Sequence, residues 1–509
     1  MRPLAVVATV AETRQVERTT LESAGLSVEV LMERAAVAVA SVVAAQAEPP
    51  VRIAVLAGTG HNGGDAAACA RILRSWGHDS QLYCAPGTPG PVVSAQIAAA
   101  RAYGVPISPL AEFKAAPVVV DGLFGFGLNR APEGVLRDAI GRVNERRGGI
   151  VVAIDLPSGT HGDTGMAPGG RVEATQTVAT GLVKLGAVSD PAVDAVGDLW
   201  QADLGFLPAA IDALSGHIIG PASRLERRRS AHKGDGGTAL VIGGSTAMSG
   251  APGLMARAAY RAGAGLVIAM VPRSIRDAVA IAVPEALVVP LDEDGGSLVS
   301  GAAEQIKPYL ERATAIALGP GLGTQAGAQS LASWLWSVWD GPLLADADAL
   351  VPAVVAAARR GATILTPHPG EAGRLLGRSA REVQSDRLAA GRELAARLGA
   401  TVVLKGARTL VVCPDGAFGV LVNTTPALAT AGSGDVLSGF IVGLLAQRQE
   451  AVRAAEQAVA LHAAAGLRAL HGGQAGGVVA RDLLDYSIFH GEPLGGPTPP
   501  VGFLASRLT

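Results

Sequence analysis

Short apolar runs alternate with stretches of helical period along most of this chain. Near the N-terminus Leu31, Met32, Ala35, Ala36 and Val39 recur at helical spacing, which predicts a helix from about 15 to 47. Val51 to Leu56 predicts a short strand, and a helix from Ala66 to Trp76 follows the Gly-rich stretch after it. The alternation continues with strands over 80–84, 118–121 and 150–154 and a helix over 91–103. In the C-terminal half, strands are predicted over 238–242, 266–271, 315–318, 343–345, 363–365 and 402–404. Helices are predicted over 252–263 and 436–446, with others between. This pattern predicts the α/β class, with mostly parallel sheets covered on both faces by helices. The polar motifs then fall just past the carboxyl ends of strands, the edge at which open parallel sheets bind ligands.

At 509 residues the chain has room for two or three domains. Hydrophobic residues make up 49% and charged residues 17%, which excludes a disordered chain. The formal net charge of −2 gives no electrostatic case for nucleic acid or an acidic membrane surface. The local cluster Arg224, Arg227, Arg228 and Arg229 reads as a solvated linker. Cys69, Cys84 and Cys413 form neither a disulfide framework nor a zinc pattern, and fit a reducing cytoplasm. The histidines show no HExxH or paired spacing, so no zinc site is expected. The apolar runs are broken by Gly, Asp or Pro and fall short of a bilayer span, and no convincing signal peptide precedes Glu12. Trp334, Trp336 and Trp339 read as packing. The expected organisation is a domain over 1–215, a linker over 216–229, a second domain over 230–492, and a Gly- and Pro-rich, poorly ordered tail over 493–509.

Chemistry concentrates in two stretches. Ala431-Gly432-Ser433-Gly434-Asp435 runs into an apolar helix. Glycines let backbone N–H groups approach a ligand, and the helix start adds unpaired donors and partial positive charge, together a site for phosphate. Asp435 at such a mouth suits a base that takes a proton from a hydroxyl being phosphorylated. On the loop alone, a capping role for Asp435 stays open. In the N-terminal half, Ala57 to Asp65, with Gly58, Gly60, Asn62, Gly63 and Gly64, links strand to helix as a Rossmann-like phosphate site does. Further loops carry Asp121, Gly125-Phe126-Gly127 and Asp155-Leu156-Pro157-Ser158-Gly159.

The C-terminal series resembles the ribokinase-like superfamily. It runs Gly319-Pro320-Gly321-Leu322-Gly323, Asp346-Ala347-Asp348, Pro367-His368-Pro369-Gly370-Glu371, Lys405-Gly406-Ala407-Arg408-Thr409 and then the Gly432–Asp435 loop. Within that superfamily it is similar to the nucleotide-dependent NAD(P)H-hydrate dehydratases. The N-terminal motifs, across roughly 10 to 215, resemble the NAD(P)H-hydrate epimerase domain. The resemblance therefore implies a Rossmann-like three-layer domain followed by a ribokinase-like α/β domain. It implies repair of hydrated NADH and NADPH. The first domain would be an isomerase that interconverts the R and S hydrates. The second would be a lyase that phosphorylates the ring hydroxyl of the S hydrate and loses phosphate.

By the same resemblance, Asp155 and Asp435 are the catalytic groups. Asn62, Asp121 and Ser158 would hold potassium. His61 to Asp65, that is His61, Asn62, Gly63, Gly64 and Asp65, would contact substrate. So would Gly125 to Ala131, that is Gly125, Phe126, Gly127, Leu128, Asn129, Arg130 and Ala131. Ala251, Gly321, Gly323, His368 and Asp435 would contact the hydrated nucleotide in the second domain. Lys405, Gly406, Ala407, Arg408, Thr409 and Gly434 would hold the donor, ADP with magnesium, and Glu371 and Asn423 would help to position the magnesium. The family implies a cytoplasmic homo-oligomer acting on small molecules. The chain departs from the family at His61, commonly Asn, at Ala66, commonly Gly, at Thr160-His161-Gly162, and at Thr424-Thr425-Pro426-Ala427. Two rival readings stay open: a vitamin-alcohol kinase, and a non-catalytic N-terminal binding module.

Overall fold

The computed structural model describes residues 6–47, 50–128, 130–145, 148–222, 228–356, 358–471, 477–487 and 505–508. Asn129, Arg224, Arg227 and most of the 493–509 tail lie outside them. The chain forms two compact units, residues 1–218 with 495–509, and residues 219–494. No helix among the described residues is long and apolar enough to cross a membrane.

In the first unit seven parallel strands run in the order Asp198–Ala202, Gln176–Thr180, Ile150–Ile154, Val118–Gly122, Arg52–Ala57, Asp79–Cys84, Ile107–Pro109. The middle strands are buried almost throughout, as expected for a sheet covered on both faces. Part of the stretch read as a poorly ordered tail does otherwise: Ala505–Arg507 pairs antiparallel with Asp198–Ala202 and satisfies the open N–H and C=O groups of that edge.

The helix expected over 15–47 is two helices, Val10–Ala24 and Val28–Ala44. Gly25 adopts a left-handed φ of 65° and ends the first, which Thr9 and Glu12 open with a reciprocal capping box. The helix expected from Ala66 begins earlier, at His61, so Asn62, Gly63 and Gly64 lie in its first turn. Close packing explains the glycines there. A Cβ on Gly63 would stand 1.9 Å from the Gly58 carbonyl oxygen, and one on Gly64 2.6 Å from the Met32 side chain.

In the second unit the strands run in the order Phe418–Val420, Leu410–Val412, Thr401–Leu404, Thr363–Leu365, Leu343–Ala345, Ala315–Leu318, Thr238–Ile242, Leu266–Pro272, Leu287–Leu291. All are parallel from Thr401–Leu404 onward, while the first two pair antiparallel. Helix Ser433–Ala446 is buried at every position from Val436 to Ala446, with Phe440 at its centre. It lies close against helix Ala251–Arg261 because one stripe lacks side chains. A Cβ on Gly439 would come 2.4 Å from the Met255 carbonyl oxygen, and one on Gly443 2.5 Å from that of Ala259. This contact fixes the anion loop, at the head of one helix, relative to Ala251, at the head of the other.

Gly439→Val should therefore force these helices apart and lower the stability of the second unit by about 1–3 kcal/mol, the usual range for overpacking. The urea midpoint of that unit measures it, and an unchanged midpoint would mean that the stripe tolerates side chains.

Candidate active sites

The first unit holds a pocket of about 610 Å³ at the carboxyl ends of its parallel strands. Of the residues expected to meet substrate, His61, Asn62, Asp65, Gly125, Phe126, Gly127, Leu128, Arg130 and Asp155 line it. Gly63 and Gly64 instead pack into the fold, and Ala131 lies against Gly169. His61 occupies the exposed first position of its helix. The Ala66 methyl fits because it faces Gly122, where a second Cβ would stand 2.5 Å away.

Asp155 closes the strand Ile150–Ile154 with a left-handed φ of 70°, uncommon for a residue other than glycine and typical of functional sites. Its carboxylate is buried and well held. It accepts from the Thr180 hydroxyl at 3.0 Å and the Phe126 N–H at 3.2 Å, and it is ion-paired with Lys184. Lys184 is itself fully buried, donates to the Thr180 carbonyl at 2.7 Å, and lies 5.0 Å from the centre of the Phe126 ring. Two further carboxylates share the pocket. Asp65 is driven well above the ordinary aspartate range, first by burial and then by the Asp155 and Glu17 charges. Glu17 is raised by burial, with Lys184 opposing and Asp155 adding to the effect. Lys184, Glu17, Arg14 and Thr180 were not singled out by their sequence context.

Beside this pocket the three expected cation ligands converge. Ser158 Oγ donates to Asp121 at 2.6 Å, and its N–H donates to the other carboxylate oxygen at 2.8 Å. The Asn62 amide donates to the Phe124 carbonyl at 2.9 Å, and the Phe124 N–H donates to Ser158 Oγ at 2.8 Å. Burial pushes Asp121 up to about 6 despite those hydrogen bonds. The set is made of oxygen donors around a buried carboxylate, which suits a hard cation whose charge would restore the ionised form.

In the second unit, Gly432 caps helix Ser433–Ala446 at a left-handed φ of 83°, and Asp435 lies in the first turn. A Cβ on Gly434 would stand 3.5 Å from Lys405 Nζ, so the ammonium faces the loop. Lys405 is 3.0 Å from Asp346 and 3.7 Å from Glu371. Burial works against its charge, but those two carboxylates outweigh it and raise its pKa. Asp346 is braced on its other oxygen by the Ser438 hydroxyl at 2.8 Å. Glu371 accepts from the His368 N–H at 2.7 Å, while the His368 ring accepts from the Gly370 N–H at 2.9 Å. Asp435 is pushed up to about 7, first by burial, then by Asp346, with Lys405 opposing and Asp348 adding.

The glycine loop follows the same convergence. A Cβ on Gly321 would meet Met248 at 2.8 Å and Ala251 at 3.4 Å, and the Gly323 N–H donates to Asp348 at 2.9 Å. In the 405–409 run, Gly406 and Ala407 are exposed. Arg408 turns inward to the Val422 carbonyl, and Thr409 donates to the Gly406 carbonyl at 3.0 Å. Beneath the anion loop, buried His462 lies 3.0 Å from Ser433 Oγ, and burial lowers its pKa to about 4, so it stays neutral. Trp336 is buried under the Arg359 guanidinium and Trp339 donates to the Pro342 carbonyl at 3.1 Å, both as packing residues.

Residues 239–488 match a family model described as NAD(P)H-hydrate dehydratase, and residues 28–186 match one described as YjeF-related protein N-terminus. A bifunctional NAD(P)H-hydrate repair enzyme of Thermofilum pendens is 34% identical over 498 residues, which is 94% of this chain and 95% of that protein. One of Gloeobacter violaceus is 38% identical over 477 residues, 90% of this chain and 92% of that protein. A solved ADP/ATP-dependent NAD(P)H-hydrate dehydratase from Bacillus subtilis, co-crystallised with ATP and Mg2+, is 32% identical and covers 52% of this chain and 91% of its own, with a TM-score of 0.45. Similarity at this level spans nearly the full length of such relatives and reaches the motif loops of both units, and this chain belongs to the family of bifunctional NAD(P)H-hydrate repair enzymes.

Proposed function

We propose that the first unit, with the epimerase domain taken as 1–215, interconverts the R and S hydrates of NADH and NADPH. The second, with the dehydratase domain taken as 230–492, returns the S hydrate to NAD(P)H at the expense of a nucleotide. The observation that carries this reading is Asp435, a carboxylate with an affinity for protons matched to neutral pH, placed in the first turn of an anion-binding helix beside Lys405.

In the second unit the ring hydroxyl attacks the terminal phosphorus of the donor, and Asp435 takes its proton. The bridging oxygen leaves with the remaining nucleotide. Lys405, the Gly432–Gly434 amides and the helix start stabilise charge on the moving phosphoryl group. Phosphate then departs with the C–O bond electrons, a neighbouring ring carbon gives up a proton, and the double bond is restored. ADP is the donor in this reading, and magnesium would neutralise its phosphates when bound. In the first unit, epimerisation breaks and remakes a bond at the hydroxyl-bearing carbon, and Asp155 moves the proton that this requires. Potassium, held by Asn62, Asp121 and Ser158, would fix the loops around Phe124 and Ser158. The chain acts in the cytoplasm on small molecules, as a homo-oligomer.

Two measurements test this. A mixture of both NADPH-hydrate epimers, with magnesium and potassium, should recover its full NADPH absorbance, faster with ADP than with ATP. Recovery with neither donor would overturn the repair reading. Asp435→Asn should slow dehydration of the S hydrate about 10²–10⁴-fold while epimerisation continues. A base works deprotonated, so the wild-type dehydration rate should fall as pH drops through about 7. A flat profile between pH 5 and 9, fixed in advance as roughly the range that brackets that value, would remove Asp435 from this role.

A further inference from the structure

The pocket of the first unit holds more acid–base chemistry than one carboxylate requires. Epimer interconversion passes through a planar ring. On one face the hydroxyl leaves as water, pushed out by the ring-nitrogen electron pair, and its oxygen needs a proton. On the other face water adds, and its oxygen must give a proton up. One carboxylate at a fixed point serves one face of a bound ring. The second face needs a second group in the same cavity, on another element.

We infer that Glu17, on helix Val10–Ala24, is a second catalytic residue of the epimerase reaction, the proton donor opposite the Asp155 carboxylate. This inference rests on the epimerase reading of the first unit. Glu17 lines the pocket together with Asp155, Phe126 and Asn62. It comes from a different element than Asp155, which closes the strand Ile150–Ile154. It lies outside residues 28–186, which the family model matches. The two carboxylates live in opposed environments. Asp155 is ion-paired with Lys184 and accepts from the Thr180 hydroxyl, the Thr180 N–H and the Phe126 N–H. Glu17 is desolvated and faces the Asp155 charge, with Lys184, His61 and Arg14 countering, so it holds its proton more tightly than an ordinary glutamate. Asp65, from helix His61–Ser75, is a third carboxyl group in the same cavity, and Arg130 also lines it. Two carboxyl groups of one cavity, one desolvated and the other paired with a lysine, divide the work of acid and base.

The step balances. Glu17 gives its proton to the departing hydroxyl, the C–O bond breaks, and water leaves as the ring nitrogen shares its electron pair with the carbon. Water then adds on the opposite face and loses a proton to Asp155. The reverse direction exchanges the two roles, and solvent restores the proton between turnovers. Lys184 is a positioning residue in this scheme, holding Asp155 in place.

The test follows conversion of purified R hydrate to S hydrate by the full-length chain, for wild type, Glu17→Gln, Glu17→Asp and Asp155→Ala, across pH 5 to 9, a window of roughly two units either side of neutrality that spans carboxyl groups raised in this way. Glu17→Gln should lose roughly 10²-fold or more in kcat and lose the fall in rate at high pH that an acid imposes, while its thermal unfolding midpoint stays at the wild-type value. Glu17→Asp should recover part of the rate and restore that limb. A Glu17→Gln enzyme with wild-type rate and pH profile overturns the assignment. A wild type that fails to epimerise at all overturns instead the reading on which it rests.

Discussion

A carboxylate taken out of water keeps its charge only if a cation or several hydrogen bonds answer it, and both units answer it with a single inward-facing lysine. In the first, Lys184 is fully buried against Asp155. In the second, Lys405 is shared by Asp346 and Glu371 beside the anion loop. Removing one partner of such a pair typically costs about 3–5 kcal/mol, because the other is left buried and uncompensated. The loops that carry the chemistry are therefore tied to the sheets through these lysines as much as through apolar packing. The lysines, in turn, are placed by strands: Val183–Lys184 ends in one, and Thr401–Leu404 runs directly into the other.

This arrangement lets chemically identical side chains take different roles. Asp155 is held by an ion pair, a hydroxyl and backbone amides. Asp435 sees Lys405 only as one influence among burial, Asp346 and Asp348, and settles near neutral pH. Asp121, held by the Ser158 hydroxyl and N–H, is still lifted by burial to about 6, a site at which a cation would make the difference. In the proposed reading it is environment, and not residue type, that assigns acid, base and ligand.

Strands and motif loops were legible in the sequence because both depend on local composition. Apolar runs such as Ile150–Ile154 and Ala315–Leu318 can only be buried strands at that length between turn signals. The converging Asn62, Asp121 and Ser158 were legible because each lies at or just past the carboxyl end of its own strand in a parallel sheet. What escaped was decided by distant neighbours. Gly63 and Gly64 read as an approach to phosphate, yet the Gly58 carbonyl and Met32 are what exclude their side chains. Glu17 belongs to no motif, and only the fold brings its helix to the pocket that Asp155 lines. Arg408 reads as a phosphate ligand, but its guanidinium reaches the Val422 carbonyl, a contact that spacing along the chain cannot announce. The pairing of Ala505–Arg507 with Asp198–Ala202 joins opposite ends of the sequence, and a Gly- and Pro-rich tail gives no hint of it.

The second unit's network is also suited to being disturbed. In the proposed reading, a phosphate arriving at the anion loop would compete with Asp346 and Glu371 for the same ammonium. Asp346 has the Ser438 hydroxyl and Glu371 the His368 N–H, so neither would be left without a partner. The same arrival brings negative charge close to Asp435 and draws away part of the cation that opposes its protonation. Both effects would raise the proton affinity of Asp435, so the donor complex would need a higher pH than the free enzyme to keep that carboxylate deprotonated. In the proposed reading, binding of the donor would shift the pH range in which Asp435 serves as base, and Lys405 would be the element through which that shift passes.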